Sequence, residues 1–355
     1  MEHYFKKSVI ELSGYHSPPQ GKVRAKLNQN ESPFDVPTQI KRGLADAAAN
    51  LAWNRYPVNE SPVLKEKLAG LYHVRADQIL LGNGSNQLFQ TLLTAIVGAG
   101  DSVIYCPPTF SLFDLFVPVF DGKLVPVFNP PGSDFPGEKI LEKIADVNPK
   151  LILLCSPNNP TGSEIPLSIL EKICNISTGL VFWDEAYGEF CEESAIPLLK
   201  KYQNLIVSRT FSKAYSMAGL RFGYLIGQSQ IISQFRKVNL PYNINLFTEL
   251  VASTMLDNVA LMDEHVWFLK EERDRLYAEM IKMPAVTVYP SSANFLLFRC
   301  KDGQKIFSEL KKRGVLVRDV GSYPLLENHL RVNVGTREEN DIFLQALRES
   351  MTVED

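Results

Sequence analysis

The sequence predicts an α/β protein with a mostly parallel central sheet in a large domain and a smaller α+β domain. Three observations predict this fold class. The chain has 355 residues, more than the ~250–300 at which a single hydrophobic core usually stops growing. From Ile79 onward, apolar segments alternate with polar turns and amphipathic helices, as in parallel sheets covered by helices on both faces. After Pro284 the pattern changes to short strands and two helices.

The first 45 residues predict an extended arm, rich in Pro, Gln and Asn, with segments such as HSPPQGK and LNQNESPFDVP. An arm of this composition cannot bury its own core, so it must lie on another part of the protein. We expect the arm to span residues 1–45 and to join the small domain. The large domain then covers residues 46–265 and the small C-terminal domain covers residues 266–355.

Short apolar segments predict the strands of the large domain. They are QILLG (78–82), SVIYC (102–106), KLVPV (123–127), KLILLC (150–155), GLVFW (179–183), NLIVS (204–208) and FGYLIG (222–227). The segment from about Ile231 to Met283 is predicted to be helical throughout.

The last third of the chain predicts the strands AVTVYP, NFLLFRC and HLRVNVG and the helices KIFSELKKRG and REENDIFLQALRES. Thr336 and Glu339 form a capping-box pattern at the start of the second helix.

Composition and charge exclude several classes of protein. The net charge is −3, with 45% hydrophobic and 22% charged residues, and the basic residues are scattered, so no surface for nucleic acid or an anionic membrane is indicated. The five cysteines lack a CxxC pair and the five histidines lack ligand spacing, so we expect neither disulfides nor a metal site. The N-terminal residues lack the apolar segment of a signal peptide, and we expect a cytoplasmic location.

Unusual polar sequences follow three successive predicted strands. They are SPNNPTG (156–162), DEAYGEF (184–190) and RTFSK (209–213). Carboxyl ends of parallel strands meet at one edge of a sheet, about 4.8 Å apart, so these segments can surround one small ring-shaped ligand. A fourth segment, GNGSNQ (82–87), precedes a helix and suits an anion bound by backbone N–H groups.

Each of these segments alone has an ordinary structural explanation. GNGS and NNPTG are typical turn sequences, Asp184 fits a helix N-cap, Lys213 a solvated surface charge and Arg221 a surface salt bridge. Together they meet the needs of pyridoxal phosphate. The lysine bonds the aldehyde, the carboxylate pairs with the pyridine nitrogen, amide and phenol groups reach the 3-oxygen, and Ser, Thr and Arg hold the phosphate.

The chain resembles the fold-type I aminotransferases of the aspartate aminotransferase superfamily, and within it the histidinol-phosphate aminotransferase subfamily. The resemblance extends over nearly the whole chain and rests on LNQNESP, RYP, GNGSNQ, PTFSLF, SPNNPTG, VFWDEAYGEF, SRTFSKAYSMAGLRFGY, PYNIN, SANF and HLRVNVGTREEN. It implies the pyridoxal-phosphate-dependent transferase fold of type I.

The resemblance also implies roles for residues at the cofactor. Lys213 would form the Schiff base and shuttle the proton, Asp184 would pair with the ring nitrogen, and Asn159 and Tyr187 would reach the 3-oxygen, so the catalytic residues are Lys213, Asp184 and Tyr187. Phe110 would stack on the ring. The phosphate ligands would be Gly84, Ser85, Asn86, Thr210, Ser212 and Arg221.

Further implied roles concern the substrate and the neighbouring subunit. Arg331 would anchor an anionic group of the substrate, with Arg318, Tyr15 and Asn30 as helpers, although alternation along HLRVNVG alone predicts an exposed strand charge at Arg331. Tyr56 of RYP would reach the cofactor phosphate of the neighbouring subunit, which implies a homodimer.

The implied activity is ping-pong transfer of an amino group from L-histidinol phosphate to 2-oxoglutarate, giving imidazole acetol phosphate and L-glutamate. Three alternatives stay open from the sequence: an aromatic amino acid aminotransferase, a threonine-phosphate decarboxylase on the same scaffold, and a non-catalytic regulatory module that keeps the fold. Two departures from the subfamily pattern bear on substrate identity: Phe110 replaces a common tyrosine, and Gln87 replaces a common carboxylate.

Overall fold

The computed structural model describes residues 2–12, 14 and 23–351. Tyr15, which the resemblance placed near the substrate, lies outside the described residues. The strands are β1 (Ala25–Lys26), β2 (Ile79–Gly82), β3 (Ser102–Tyr105), β4 (Lys123–Pro126), β5 (Leu151–Cys155), β6 (Leu180–Asp184), β7 (Leu205–Thr210), β8 (Gly223–Ile226), β9 (Val286–Val288), β10 (Phe295–Cys300), β11 (Val315–Leu316), β12 (Arg318–Asp319) and β13 (His329–Asn333).

The α-helices are α1 (Lys7–Ile10), α2 (Thr38–Ala49), α3 (Pro62–Tyr72), α4 (Ser85–Ile96), α5 (Leu112–Phe116), α6 (Gly137–Val147), α7 (Leu167–Ile176), α8 (Ser229–Arg236), α9 (Leu246–Leu256), α10 (Val259–Ile281), α11 (Gly303–Lys312) and α12 (Arg337–Met351). Short 3₁₀ helices occur at Glu2–Tyr4, Ala76–Gln78, Pro118–Phe120, Gly188–Phe190, Ile196–Lys200 and Ala218–Leu220.

A mostly parallel sheet of seven strands forms the centre of the protein, in the order β2-β8-β7-β6-β5-β3-β4. Strands β7, β6, β5, β3 and β4 are parallel, whereas β8 is antiparallel to both β7 and β2. The predicted α/β fold class is therefore confirmed. The register places Cys155 beside Asp184 and Asp184 beside Ser208, so the ends of β5, β6 and β7 lie side by side.

The core of the sheet follows from the alternation of side chains along its strands. On β5, Ile152 and Leu154 join one apolar cluster, while Leu151 and Leu153 join a second cluster. The other central strands alternate in the same way, because successive strand residues point to opposite faces. Both faces of the sheet are therefore covered, which explains why these strands are continuous apolar segments.

A second sheet of four antiparallel strands, in the order β12-β13-β10-β9, lies in the C-terminal part. The arm joins this part because β1 pairs in parallel with β11 through Ala25 and Val315. At the start of α12, the N–H of Glu339 donates to Thr336 Oγ1 (3.3 Å) and the N–H of Thr336 donates to Glu339 Oε2 (2.9 Å). The predicted capping box is confirmed.

The predicted continuous helix from Ile231 to Met283 is wrong. Helix α8 ends at Arg236 and α9 begins at Leu246, leaving a connector over residues 237–245 that contains PYNIN. Pro241 has no N–H to continue a helix, and Asn245 caps the next one by accepting a bond from the N–H of Thr248 (2.8 Å).

Helix α10 crosses the predicted boundary between the large and the small domain. It runs without a break across residues 265 and 266, where the sequence placed a domain boundary. No helix among the described residues is long and apolar enough to cross a membrane.

Candidate active site

A cavity of about 360 Å³ opens at the carboxyl ends of β5, β6 and β7. It is closed on the other side by the arm, by β12 and by β13. The predicted site residues that line it are Asn30, Ser85, Asn86, Phe110, Asn159, Asp184, Tyr187, Thr210, Ser212, Lys213, Arg221, Arg318 and Arg331. The fold thus brings together side chains that are up to 300 positions apart in the chain.

Lys213 lies three residues beyond the end of β7 and reaches across the cavity toward the arm. Its Nζ donates to the carbonyl oxygen of Gln29 (3.1 Å) and lies 5.8 Å from the ring centre of Tyr187. Burial, and after it the positive charge of Arg331, lower the pKa of Lys213 to about 7. A large share of the amine is therefore uncharged and nucleophilic near neutral pH.

Asp184 is the last residue of β6 and lies on the floor of the cavity, where only 5% of its surface is exposed. Its Oδ1 accepts a hydrogen bond from the N–H of Ala186 (3.1 Å). Burial raises the pKa of this carboxyl to about 7, and the positive charge of Lys213 opposes the rise. A cationic group bound above Asp184 would favour the ionised carboxylate.

Four side chains on the upper wall form two hydrogen-bonded pairs. Asn30, in the arm, donates from Nδ2 to the hydroxyl of Tyr187 (2.8 Å). Arg331 donates from Nη1 to Asn159 Oδ1 (2.6 Å) and from Nη2 to the carbonyl of Asn28 (3.0 Å). Burial raises the pKa of the Tyr187 phenol above its usual value. The phenol therefore stays protonated and can donate a hydrogen bond into the cavity.

Arg331 is 7% exposed, so the expectation of an exposed strand charge, drawn from alternation alone, is wrong. The arm and the turn after β5 cover the face of β13 that carries it, as its bonds to Asn28 and Asn159 show.

The segment from Gly82 to Asn86, here called the anion loop, leads from β2 into α4. Gly84 has φ +78°, and a Cβ added there would lie 2.5 Å from Arg221 Nη2. The loop can therefore approach the guanidinium only because residue 84 has no side chain. Arg221 Nη1 also donates to Ser212 Oγ (3.2 Å), which accepts a bond from Thr210 Oγ1 (3.0 Å).

This set of groups fits a phosphate monoester. The first N–H groups of α4 have no partner within the helix, and the helix dipole favours negative charge at that end. A guanidinium and two hydroxyls complete a donor set for phosphate oxygens. Together with Lys213 and Asp184, the cavity therefore fits pyridoxal phosphate.

Arg318, on β12, lies in the cavity wall, and its guanidinium makes no hydrogen bond or ion pair with the described residues. It is therefore available to an anionic ligand. Phe110 is in the wall opposite and packs edge-on against Phe113, with ring centres 5.8 Å apart.

Two predicted site residues among those described stand apart from the cavity lining. Gly84 lies behind it and contributes backbone only. Tyr56 is 81% exposed and stacks on Tyr242, with ring centres 4.6 Å apart. Tyr15 is outside the described residues.

The lining also contains residues that sequence reasoning missed, among them Asn28, Gln29, Glu31, Cys155 and Tyr323. The first three belong to LNQNESP, from which only Asn30 was selected. Gln29 contacts Lys213 through its carbonyl, and a backbone contact has no side-chain signature. Tyr323 sits in a loop with no recognisable motif.

The fold and the site together define the class of the protein: a pyridoxal-phosphate-dependent aminotransferase of fold type I. The family "Aminotransferase class I and II" matches residues 24–347. The chain is 34% identical to histidinol-phosphate aminotransferase of Chlorobium phaeovibrioides over 97% of this chain and 96% of that protein. It is 35% identical to that of Thermoanaerobacter pseudethanolicus over 98% and 99%.

A solved structure is similar over almost the whole chain. The histidinol-phosphate aminotransferase of Sinorhizobium meliloti, in complex with pyridoxal-5'-phosphate, superposes with a TM-score of 0.88 at 25% identity, covering 98% of this chain and 97% of that one. The chain belongs to the class I and II aminotransferases and, within them, to the histidinol-phosphate aminotransferase family.

Proposed function

We propose that this protein is a transaminase that moves an amino group from L-histidinol phosphate to 2-oxoglutarate, a reaction of histidine biosynthesis. The observation that carries the proposal is one cavity in which Lys213 and Asp184 lie between a phosphate-binding loop and two arginines. The loop suits the cofactor, and the arginines suit the anionic groups of both substrates. Histidinol phosphate carries a phosphate monoester and 2-oxoglutarate carries two carboxylates, and a guanidinium binds either group.

Pyridoxal 5'-phosphate is the cofactor, and when bound it supplies an electron sink for the bonds at the substrate Cα. Lys213 Nζ, a large share of which is uncharged near neutral pH, would bond the aldehyde and, once released by substrate, would carry the proton to and from Cα. Asp184 would hold the proton on the pyridine nitrogen, because an ionised carboxylate favours the cationic ring.

The remaining side chains orient the reacting groups. Tyr187 and Asn159, which both line the cavity, would bond the 3-oxygen of the cofactor. Their own partners, Asn30 and Arg331, restrict both side chains, so the groups are oriented before substrate arrives. Arg331 and Arg318 would hold the anionic end of the substrate and fix its Cα relative to Lys213. Phe110 would cover one face of the ring.

The active unit is proposed to be a homodimer in which Tyr56 reaches the phosphate site of the neighbouring subunit. Support comes from an exposed aromatic surface formed by Trp53, Tyr56, Tyr242 and Phe247, which surrounds an apolar depression of about 690 Å³. Trp53 alone is 77% exposed. An exposed apolar surface of this kind is typical of an interface.

Two broader inferences accompany this proposal. The five cysteines are all free thiols, which is typical of a reducing compartment and supports a cytoplasmic location. We also propose the division into an arm (1–45), a large domain (46–265) and a small domain (266–355). The pairing of β1 with β11 supports the attachment of the arm to the small domain.

A panel of amino donors tests the proposed substrate. The purified protein, loaded with pyridoxal phosphate, is mixed with histidinol phosphate, phenylalanine, tyrosine or aspartate while the visible absorbance of the cofactor is followed. We expect histidinol phosphate to discharge the absorbance fastest. A much faster reaction with phenylalanine would assign an aromatic aminotransferase, and CO₂ release from threonine phosphate would assign a decarboxylase. Absence of any reaction would favour a regulatory module.

A further inference from the structure

Gln87, the third residue of α4, links the anion loop to the connector over residues 237–245. Its Oε1 accepts hydrogen bonds from the N–H of Asn83 (3.1 Å) and from Asn243 Nδ2 (3.1 Å). Its Nε2 donates to Thr91 Oγ1 (2.8 Å) and to Asn239 Oδ1 (2.9 Å). Both ends of one side-chain amide are thus engaged, in a set of bonds that joins two separate segments of the chain.

The connector is also tied to the strand that leads into the anion loop. Asn239 Nδ2 and Asn243 Nδ2 both donate to the carbonyl of Leu81, at 3.2 and 3.0 Å. We call Gln87, Asn239 and Asn243 the amide cluster. The cluster therefore holds the anion loop at its first residues, on the side away from the cavity.

The anion loop has one internal backbone hydrogen bond, from the N–H of Gly84 to the carbonyl of Gly82 (2.8 Å). Two of its five residues are glycines, which have access to more backbone conformations than any other residue. Asn83 is exposed. Gln87 packs closely against the start of the loop, since a Cβ added at Gly82 would lie 2.8 Å from Gln87 Oε1. The direction of the loop N–H groups therefore depends on this internal bond together with the contact of Gln87 from behind.

We propose that Gln87 is a positioning residue for the cofactor phosphate, acting through the bond from the N–H of Asn83 to its Oε1. The residue does not touch the phosphate. By fixing Asn83, it sets the orientation of the turn at Gly84 and of the N–H groups of Ser85 and Asn86. This inference rests on the proposed cofactor and not on the amino donor.

The test compares two ligands on the full-length apoprotein: pyridoxal phosphate and pyridoxal, which lacks the phosphate. Both bond Lys213, so their dissociation constants differ through the phosphate site. Gln87→Leu removes four side-chain hydrogen bonds, of which only the one from the N–H of Asn83 reaches the anion loop. We therefore expect the constant for pyridoxal phosphate to rise about 5- to 10-fold, as for the loss of that one bond, while the constant for pyridoxal stays unchanged. A merely structural role would weaken both ligands equally.

Two further variants complete the experiment. Gln87→Glu keeps an oxygen that accepts the Asn83 N–H, so we expect its affinity for pyridoxal phosphate to stay within about 3-fold of the wild type. Gln78→Leu is the matched control, because Gln78 bonds backbone groups at the opposite end of β2, and we expect no selective effect.

The outcomes separate this inference from the proposed function. The positioning role is overturned if Gln87→Leu changes the dissociation constants of both ligands equally or changes neither. It is also overturned if Gln87→Glu binds pyridoxal phosphate as weakly as Gln87→Leu does. If the wild type itself fails to bind pyridoxal phosphate, the cofactor assignment is overturned together with this inference.

Discussion

Lys213 and Asp184 reach similar pKa values, near 7, from opposite directions. Burial disfavours the charged form of each group, so it lowers the pKa of the amine and raises the pKa of the carboxyl. Lys213 is thereby made nucleophilic, and Asp184 is left in need of a cationic partner. In the proposed function, the protonated pyridine ring of the cofactor would supply that partner.

The pH dependence of cofactor binding follows from the lowered pKa of Lys213. Only the uncharged amine attacks the aldehyde, so the rate at which the apoprotein combines with pyridoxal phosphate should rise with pH through about 7 and level off above it. Arg331 helps to lower this pKa, and Glu31 opposes it. Arg331→Gln should therefore move the midpoint upward by about one pH unit.

Stopped-flow absorbance across a pH series measures this midpoint. Arg299→Gln, on the exposed side of the neighbouring strand β10, is the control and should leave the midpoint in place. A midpoint that moves downward in Arg331→Gln would contradict the electrostatic explanation.

Asp184→Asn should lower the rate of catalysis and raise the stability of the apoprotein. The amide cannot favour a protonated ring nitrogen, so we expect the rate of amino transfer to fall by about two to three orders of magnitude. The apoprotein should become more stable at pH 8, because a carboxyl whose folded pKa is raised above its unfolded value binds more protons when folded. In the wild type, the contribution of the Asp184 carboxyl to the free energy of unfolding therefore falls as pH rises from about 4 to about 7.

Thermal unfolding of the apoprotein at pH 5 and pH 8 checks the second part of this prediction. The advantage of Asp184→Asn should be larger at pH 8 than at pH 5. A variant that is less stable than the wild type at pH 8 would show that burial does not raise the pKa of Asp184.

At the scale of elements, turn and strand-end motifs could be predicted from the sequence, whereas contacts between distant segments could not. The strand ends after β5, β6 and β7 were identifiable because apolar segments stop abruptly at polar ones. The antiparallel direction of β8 was not, since a buried strand has the same pattern in either direction. Strands β11 and β12 have two residues each, too few for a periodic pattern.

The error in the region from Ile231 to Met283 has a similar origin. Apolar residues recur on both sides of Pro241 with helical spacing, and this recurrence concealed the connector. The connector matters for the site, because it carries Asn239 and Asn243 of the amide cluster. A helix-breaking proline followed by a capping asparagine, here Asn245, was the available signal.

Gly84→Ala tests the anion loop as a unit. At φ +78° and ψ 160°, Gly84 lies in a backbone region that is essentially restricted to glycine. A side chain there costs about 1–3 kcal/mol, and its Cβ would displace the Arg221 guanidinium. We expect the dissociation constant for pyridoxal phosphate, measured by titration of the apoprotein, to rise at least about tenfold. Gly70→Ala is the matched control, because Gly70 lies in α3 with open space around it, and alanine there should stabilise the helix by up to about 1 kcal/mol. Equal binding by both variants would contradict the assignment of the loop.

At the scale of the whole molecule, the position of Tyr56 fits the proposed homodimer, in which each active site would contain residues of both chains. Its ring lies on the exposed aromatic surface with Tyr242, away from the cavity of its own subunit. The connector over residues 237–245 links the exposed aromatic surface to the anion loop. It carries Tyr242 of that surface and also Asn239 and Asn243, which hold the anion loop. Assembly and cofactor binding should therefore depend on each other.

Mixing two defective subunits tests whether Tyr56 acts across an interface. Lys213→Ala has no amine for the cofactor, and Tyr56→Ala should bind pyridoxal phosphate weakly. In a mixed dimer, the subunit with intact Lys213 receives Tyr56 from its partner, so activity at limiting cofactor should exceed the sum of the two variants measured apart.

The control mixture contains Trp267→Ala in place of Tyr56→Ala. Trp267 is an exposed aromatic residue on α10 with 65% of its surface in solvent. The activity of the control mixture should not exceed the sum of its two variants, because the Trp267→Ala subunit keeps both Lys213 and Tyr56. Additive activity in the first mixture, with dimers verified by sedimentation, would mean that Tyr56 serves only its own chain.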